Sequence, residues 1–265
     1  MSAAIHDDAR VRTVRWRDLV PISRWRAAGE LCLPLPWLAG SLLLAAAGRP
    51  AIALLASFYF YLCGLRLVHD VFHRTLGLSR AANEAVMLVL SGLMLGSMHA
   101  VRYNHMEHHR LCLHDNDVEG AIARQPAWRA LLSGPLFPVR NHIHAIRSSH
   151  GASRAWIFAE LIVTAALTAA ALAAAPDSLL RYHVTAMWLG QCLSGFFCVW
   201  TVHHDCDREH FIARTIRNRL RSIATFEMFY HLEHHLFPAV PTRELPRLAK
   251  RLDEAAPELQ TNRAF

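Results

Sequence analysis

The sequence predicts an all-α integral membrane protein, with four transmembrane helices paired as two hairpins and a cytoplasmic helical cap carrying clustered histidines. Three observations predict it. Four apolar stretches of near-bilayer length come in two pairs, each pair joined by a short turn. Basic residues are almost absent from those turns, and many of the eighteen histidines gather where apolar stretches end. At 265 residues, 53% of them hydrophobic, the chain reads as one domain spanning residues 1–265, with a sizeable part outside the bilayer.

Residues 1–30 hold six arginines and are expected to form a basic cytoplasmic segment. They exceed the basic region of a signal peptide, so the apolar stretch that follows is expected to be a retained span. The first hairpin, 31–68, joins apolar residues 31–47 and 51–68 through Gly48-Arg49-Pro50, two helix breakers in three positions. Both stretches sit near the short end of the roughly 17–25 residues that cross a bilayer, and Pro34 and Pro36 fall in a first turn, where proline is tolerated. Residues 69–155 form a cytoplasmic region with two histidine clusters. Inside it the apolar segment 85–101, interrupted by Gly92, Gly96 and Ser97, is expected to lie along the interface or re-enter, because crossing would strand the flanking histidines in opposite compartments. The second hairpin, 156–202, pairs 156–175 with 183–202 across Pro176-Asp177-Ser178, and 203–265 is a cytoplasmic region with the third cluster. Six Lys and Arg precede the first span, ten lie from Arg66 to Arg154 and ten from Arg208 to Arg263, against Arg49 and Arg181 alone in the two turns. The positive-inside rule therefore puts both termini and the middle segment in the cytoplasm.

The net charge of +7 rests on 28 basic residues, of which only Lys250 is lysine. Arginine clamps phosphates and carboxylates bidentately, so lipid head groups or an acidic protein are the expected partners. Nucleic acid is not, because no basic run is interleaved with aromatics. The six cysteines contain no Cys-x-x-Cys pair, which excludes a disulfide framework and a ferredoxin-like cluster. Cys112 and Cys206 neighbour histidines and are read as thiols outside the ligand set.

The histidines carry the chemistry. His69 and His73 are an i, i+4 pair, and His105-Met-Glu-His108-His109 and His231-Leu-Glu-His234-His235 repeat one pattern whose i, i+3 and i+4 rings share a helix face. A lone pair on an apolar helix is more often a hydrogen-bonded core pair than a ligand set; two identical clusters plus the pair at one predicted membrane edge favour metal. Eight rings exceed one structural site, so two metals with open positions are expected, and imidazole alone suits zinc, iron, copper or nickel. Asp70, Glu107 and Glu233 turn away from the ligand faces and are expected to accept hydrogen bonds from the outer ring nitrogens. His99, His114, His142, His144, His150, His183 and His210 match no cluster and read as surface or outer groups. Tyr103, Asn104, Asp115, Asn116 and Asp117 flank the second cluster and are candidates to organise it.

The order HxxxH, HxxHH, two spans, then HxxHH with Leu236-Phe237-Pro238-Ala239-Val240-Pro241 resembles the membrane fatty-acid desaturase family over about residues 31–246. The resemblance implies two iron ions, dioxygen as co-substrate, oxidation of an unactivated C–H bond, and His69, His73, His105, His108, His109, His231, His234 and His235 as ligands, with no catalytic residue beyond the ligands. Several family members add a histidine after the last span, one turn past an asparagine. Here His203 and His204 hold that place, with Val199 and Trp200 four residues earlier, and His204 is slightly preferred. With no dinucleotide fingerprint and no fused haem motif, the two electrons are expected from a separate ferredoxin or b-type cytochrome. Arg102, Arg110, Arg208 and Arg221 are candidates to dock it or to hold lipid phosphates. The expected substrate is a long-chain apolar lipid reached from the membrane, through space left by Gly64, Gly190, Ser194 and Gly195, and the expected location a bacterial inner membrane. The alternatives are a hydroxylase or ketolase of a lipid or carotenoid on the same site, and a non-enzymatic membrane metal-binding protein. The last needs polar residues midway through the spans, which offer only Glu160 and Gln191.

Overall fold

The computed structural model describes residues 4–208 and 211–264. Among them the chain is helical, and the one β feature is an isolated bridge between Thr215 and Arg263. In chain order the main elements are α1 (Arg24–Ala46), α2 (Pro50–Phe72), α3 (Arg80–Met94), α4 (Met98–Leu111), α5 (Leu136–Ser148), α6 (Gly151–Ala173), α7 (Leu179–His203), α8 (His231–Leu236) and α9 (Leu245–Ala255). Helices α1, α2, α6 and α7 are long and apolar enough to cross a membrane. Their outward faces carry exposed Leu43, Leu55, Ile162, Leu172 and Leu189, as lipid-facing helices require. Gly48, at φ +69, makes the turn that only glycine enters freely, and Pro50 opens α2 where its missing N–H costs nothing. The hydroxyls of Ser41, Ser57 and Tyr182, 2.6–3.0 Å apart, tie α1, α2 and α7 together.

The segment 85–101 is not one helix. It breaks at Leu95 (φ +57), and α3 and α4 meet at 109°. A break leaves orphan carbonyls on one helix and orphan amides on the next, and in an apolar setting each must find a partner. The Gly96 amide donates to the Ser91 carbonyl at 3.3 Å, and side chains supply the other partners named here. His183 Nε2 donates to the Leu93 carbonyl at 2.8 Å and Gln191 Nε2 to that of Met94 at 3.0 Å. The Ser97 amide donates to His142 Nε2 at 2.9 Å, the Met98 amide to Ser91 Oγ at 3.0 Å and the His99 amide to Glu160 Oε2 at 3.0 Å. Glu160 and Gln191 thus have structural work, as do His142 and His183, which are not surface groups.

A second core lies at the histidine end of the bundle. Val11, Val14 and Leu19 pack there with Val202, Ile216, Leu232, Leu248 and Leu252. Asp18 pairs with Arg251 at 2.7 Å, and buried Glu30 bridges Arg66 of α2 to Arg243. Burying Arg66 is tolerable because its charge is paired and its Nε donates to the Phe226 carbonyl at 3.0 Å. The N-terminal segment is therefore a packed part of this layer as well as a basic one.

Candidate metal centre

Helix α2 continues past its apolar stretch to Phe72, which places His69 on its last turn and His73 at its C-cap. Helix α4 carries His105, His108 and His109, α8 carries His231, His234 and His235, and α7 ends on His203. The rings fall into two sets, each with its ligand atoms within 4.8 Å of one another: His69, His73, His105, His109 and His234 in one, His108, His203, His231 and His235 in the other. Helix geometry does the sorting. Each HxxHH sends its i, i+4 pair to one set and its middle histidine, displaced around the helix, to the other.

Acceptors fix the rings' orientation. His108 Nδ1 lies 2.7 Å from Asp117 Oδ2, His105 Nδ1 3.2 Å from Glu119 Oε1, and His203 Nδ1 2.8 Å from the Ile212 carbonyl. Facing these acceptors Nδ1 carries the hydrogen, which leaves Nε2 as the bare lone pair of a neutral ring. Yet the Nε2 atoms of His108 and His203 stand 2.9 Å apart. Lone pairs at that separation repel unless a proton or a metal ion lies between them. Although burial works against it, the Asp117 carboxylate holds His108 above the usual imidazole range, so a proton can take that place when no metal is bound. His69 Nε2 is buried with no partner at all. Burial, reinforced by neighbouring rings, holds His109, His231, His234 and His235 well below the usual imidazole range, so they are neutral, the form that binds metal. The donors fit two transition-metal ions, and an all-imidazole set does not choose among iron, zinc, copper and nickel.

Several expectations are corrected. His203, not His204, joins the cluster; His204 stacks on Trp200 at 4.2 Å and faces Asp205. Just before it α7 widens into a π turn over Gly195–Trp200, which breaks the 3.6-residue count on which a choice between the two would rest. Among the described residues none of the three expected carboxylates accepts a hydrogen bond from a cluster histidine ring. Asp70 accepts from Thr75 Oγ1 (2.9 Å) and from Thr242 N and Oγ1 (both 3.0 Å), Glu107 pairs with His144 at 2.7 Å, and Glu233 accepts from Thr215 and pairs with Arg217, both at 2.7 Å. They tie neighbouring segments together around the site. The outer acceptors are Asp117, one of the flanking residues singled out, and Glu119, which was missed although an Asp-x-Glu directly after a ligand helix is a readable signal. Among the other histidines, His99 is buried between Glu84 and Glu160, His114 accepts from the Asn116 amide, His150 lies beside Arg154, and His210 is outside the described residues. Cys112 and Cys206 belong to neither set, and burial pushes the Cys206 thiol up to about 11.

An apolar cavity reaches His69, His105, His203, His231 and His234 between Leu65, Val101, Cys198 and Val199. A second hollow shares those four apolar residues and Glu119 with it and continues to Tyr61, Met98 and Phe137. Glu119 Oε2, at the junction, is buried without a partner. Comparison with curated proteins returned no match. Residues 42–264 match the family model described as fatty acid desaturase, which takes in every histidine of both sets, and the chain belongs to that family of metal-dependent oxidoreductases.

Proposed function

We propose that the protein is a di-iron, dioxygen-dependent oxidase that desaturates the acyl chain of a fatty acid or lipid. The observation that carries this is the pairing of two separate imidazole sets with an apolar cavity lined by rings of both. The nine rings would hold two iron ions, which with dioxygen and two electrons would supply the oxidising power that an unactivated C–H bond demands. The chain's own residues do the rest. Leu65, Val101, Cys198 and Val199 exclude water and hold a methylene chain against the histidine floor, and Tyr61 and Phe137 bound its far end. Asp117, Glu119 and the Ile212 carbonyl keep the Nδ1 protons in place, leaving Nε2 free.

The reading includes a topology of two hairpins, with the histidine layer and both termini in the cytoplasm of a bacterial inner membrane. The packing of Val11 and Val14 against the C-terminal core supports both ends lying on one side. A separate ferredoxin or b-type cytochrome is the electron donor. A polar cleft lined by Arg124, Gln125, Asp205, Asp207 and Arg208 reaches down to His203 and supports docking of the donor there through contacts of both signs. Hydroxylation or ketolation of a lipid or carotenoid is the second reading, favoured by the unpartnered Glu119 Oε2, which suits a hydroxyl on the bound chain.

Metal analysis of the purified protein together with lipid profiling of cells that express it tests the proposal. About two irons per chain and new unsaturated acyl chains are expected. Hydroxylated or keto products with the same iron content select the second reading, and zinc alone with no altered lipid refutes both.

A further inference from the structure

The face of α4 opposite its metal-binding histidines borders an open polar groove, shared with α3 and the first turns of α6 and lined by Arg80, His99, Arg102, Met106, Arg110 and Trp156. It has no lining residue in common with the apolar cavity. Its charges are unbalanced. His99 stands between two carboxylates, with Nδ1 2.7 Å from Glu160 and Nε2 on Glu84. Both ring nitrogens donate, so these two acids are engaged. The Arg102 side chain is only 27% exposed, and the nearest carboxylate, Glu84, lies 3.8 Å away and already serves His99. Among the described residues the Arg102 side chain makes no hydrogen bond, and Arg74 and Arg80 press on it with like charge. Glu107, the remaining acid, is taken up by His144 at 2.7 Å and Arg110 at 3.4 Å. A half-buried guanidinium with free donors, crowded by two more, lacks an anion.

The position of the groove says which anion. Arg80 opens α3 directly ahead of its apolar run, and Arg154 precedes Ala155 and Trp156 at the opening of α6, a candidate span. Two basic-to-apolar transitions meet there, and Trp156 stacks on His99 at 5.2 Å and 4°. Arginine beside tryptophan where spans enter the bilayer is the chemistry of the head-group layer.

We infer that this groove binds the phosphate of an anionic phospholipid, clamped by Arg80 and Arg102, with the acyl chains lying along α6, whose Phe158 and Ile162 are exposed. The site backs directly onto the helix that supplies three metal-binding histidines, so its occupant steadies that helix from behind.

Native mass spectrometry of the full chain in detergent, titrated with phosphatidylglycerol or phosphatidylcholine, tests this. Phosphatidylglycerol should be retained in preference to phosphatidylcholine. Arg80→Gln with Arg102→Gln should weaken it about tenfold, about 1.4 kcal/mol, whereas Arg219→Gln, an exposed arginine of the C-terminal region, should not. Because the Arg102 side chain makes no hydrogen bond, Arg102→Gln alone should fold normally and serves if the double variant does not. Undiminished phosphatidylglycerol binding in these variants overturns the proposal, as does equal retention of both lipids. Displacement of the lipid by inorganic phosphate supports phosphate as the recognised group, while inorganic phosphate binding without any lipid retention overturns the bilayer as its source.

Discussion

Replacing Glu160 by alanine removes the acceptor for three groups at once: Ser97 Oγ at 2.6 Å, the His99 amide at 3.0 Å and His99 Nδ1 at 2.7 Å. Two of these sit on the first turn of α4 and the third is a charged ring, all buried, so no water replaces the lost carboxylate. Breaking a buried ion pair from one side costs about 3–5 kcal/mol, and because Glu84 still holds the other nitrogen of His99 the lower figure applies. For a chain of this size 1 kcal/mol moves the melting temperature by about 2–4 °C, so a loss of about 3 kcal/mol should lower it by roughly 6–12 °C. Glu160→Gln keeps the shape and one acceptor but turns an amide N–H toward His99 Nδ1, and should cost less. Gln191→Leu forfeits one neutral hydrogen bond, about 1 kcal/mol. Thermal unfolding in detergent, read by loss of the monodisperse peak, gives the order; metal content should fall in the same order, since the break aims α4 at the site. A Glu160→Ala melt indistinguishable from that of the unchanged protein refutes the account of how the broken helix is held.

His203→Ala should empty one metal position and abolish turnover while His204→Ala keeps both metal and activity; equal metal content in the two variants contradicts the assignment. A Cβ on Gly190 would stand 2.7 Å from the Tyr61 ring and one on Gly195 2.6 Å from Phe137, both at the far end of the cavity. Alanine at either position should push the ring inward at about 1–3 kcal/mol and shift products toward shorter chains, and an unchanged lipid profile with normal metal speaks against a channel there. In the metal-free protein His231, His234 and His235 stay neutral where the unfolded chain, near 6.5, takes up protons. The unfolded state then binds more protons, so stability is complete above pH 6.5 and falls below it by about 1.4 kcal/mol per pH unit for each ring. Chemical denaturation between pH 7 and 5 measures the slope, and a flat line rejects the prediction.

The candidate spans and the ligand faces were legible because they depend on local period: a run of apolar residues long enough for a bilayer, and imidazoles at i, i+3 and i+4. What escaped depends on how the chain returns. After α4, Leu113 at φ +61 turns the backbone so that Asp117, nine residues beyond His108, meets its ring, and no periodicity encodes that reach. The π turn in α7 changed the register of His203 for the same reason, since a helix count fails once the helix widens. Glu160 and Gln191 were visible as polar residues in apolar stretches, but their partners are backbone and side-chain atoms of a break whose sharpness composition does not reveal. Val11, Val14 and Leu19 were hidden among arginines, too sparse for a pattern, yet they complete a core supplied mostly by the other end of the chain.

The interleaving of the histidines makes α4 and α8 act as two-sided levers. Turning α4 about its axis moves His105 and His109 at one set and His108 at the other together, and α8 does the same with the roles exchanged. Neither centre can be tightened or relaxed alone. The two sets are therefore coupled: whatever fixes the rotation of α4 and α8 at one set also fixes where the same helices hold their rings at the other, so filling one alters the affinity of the other.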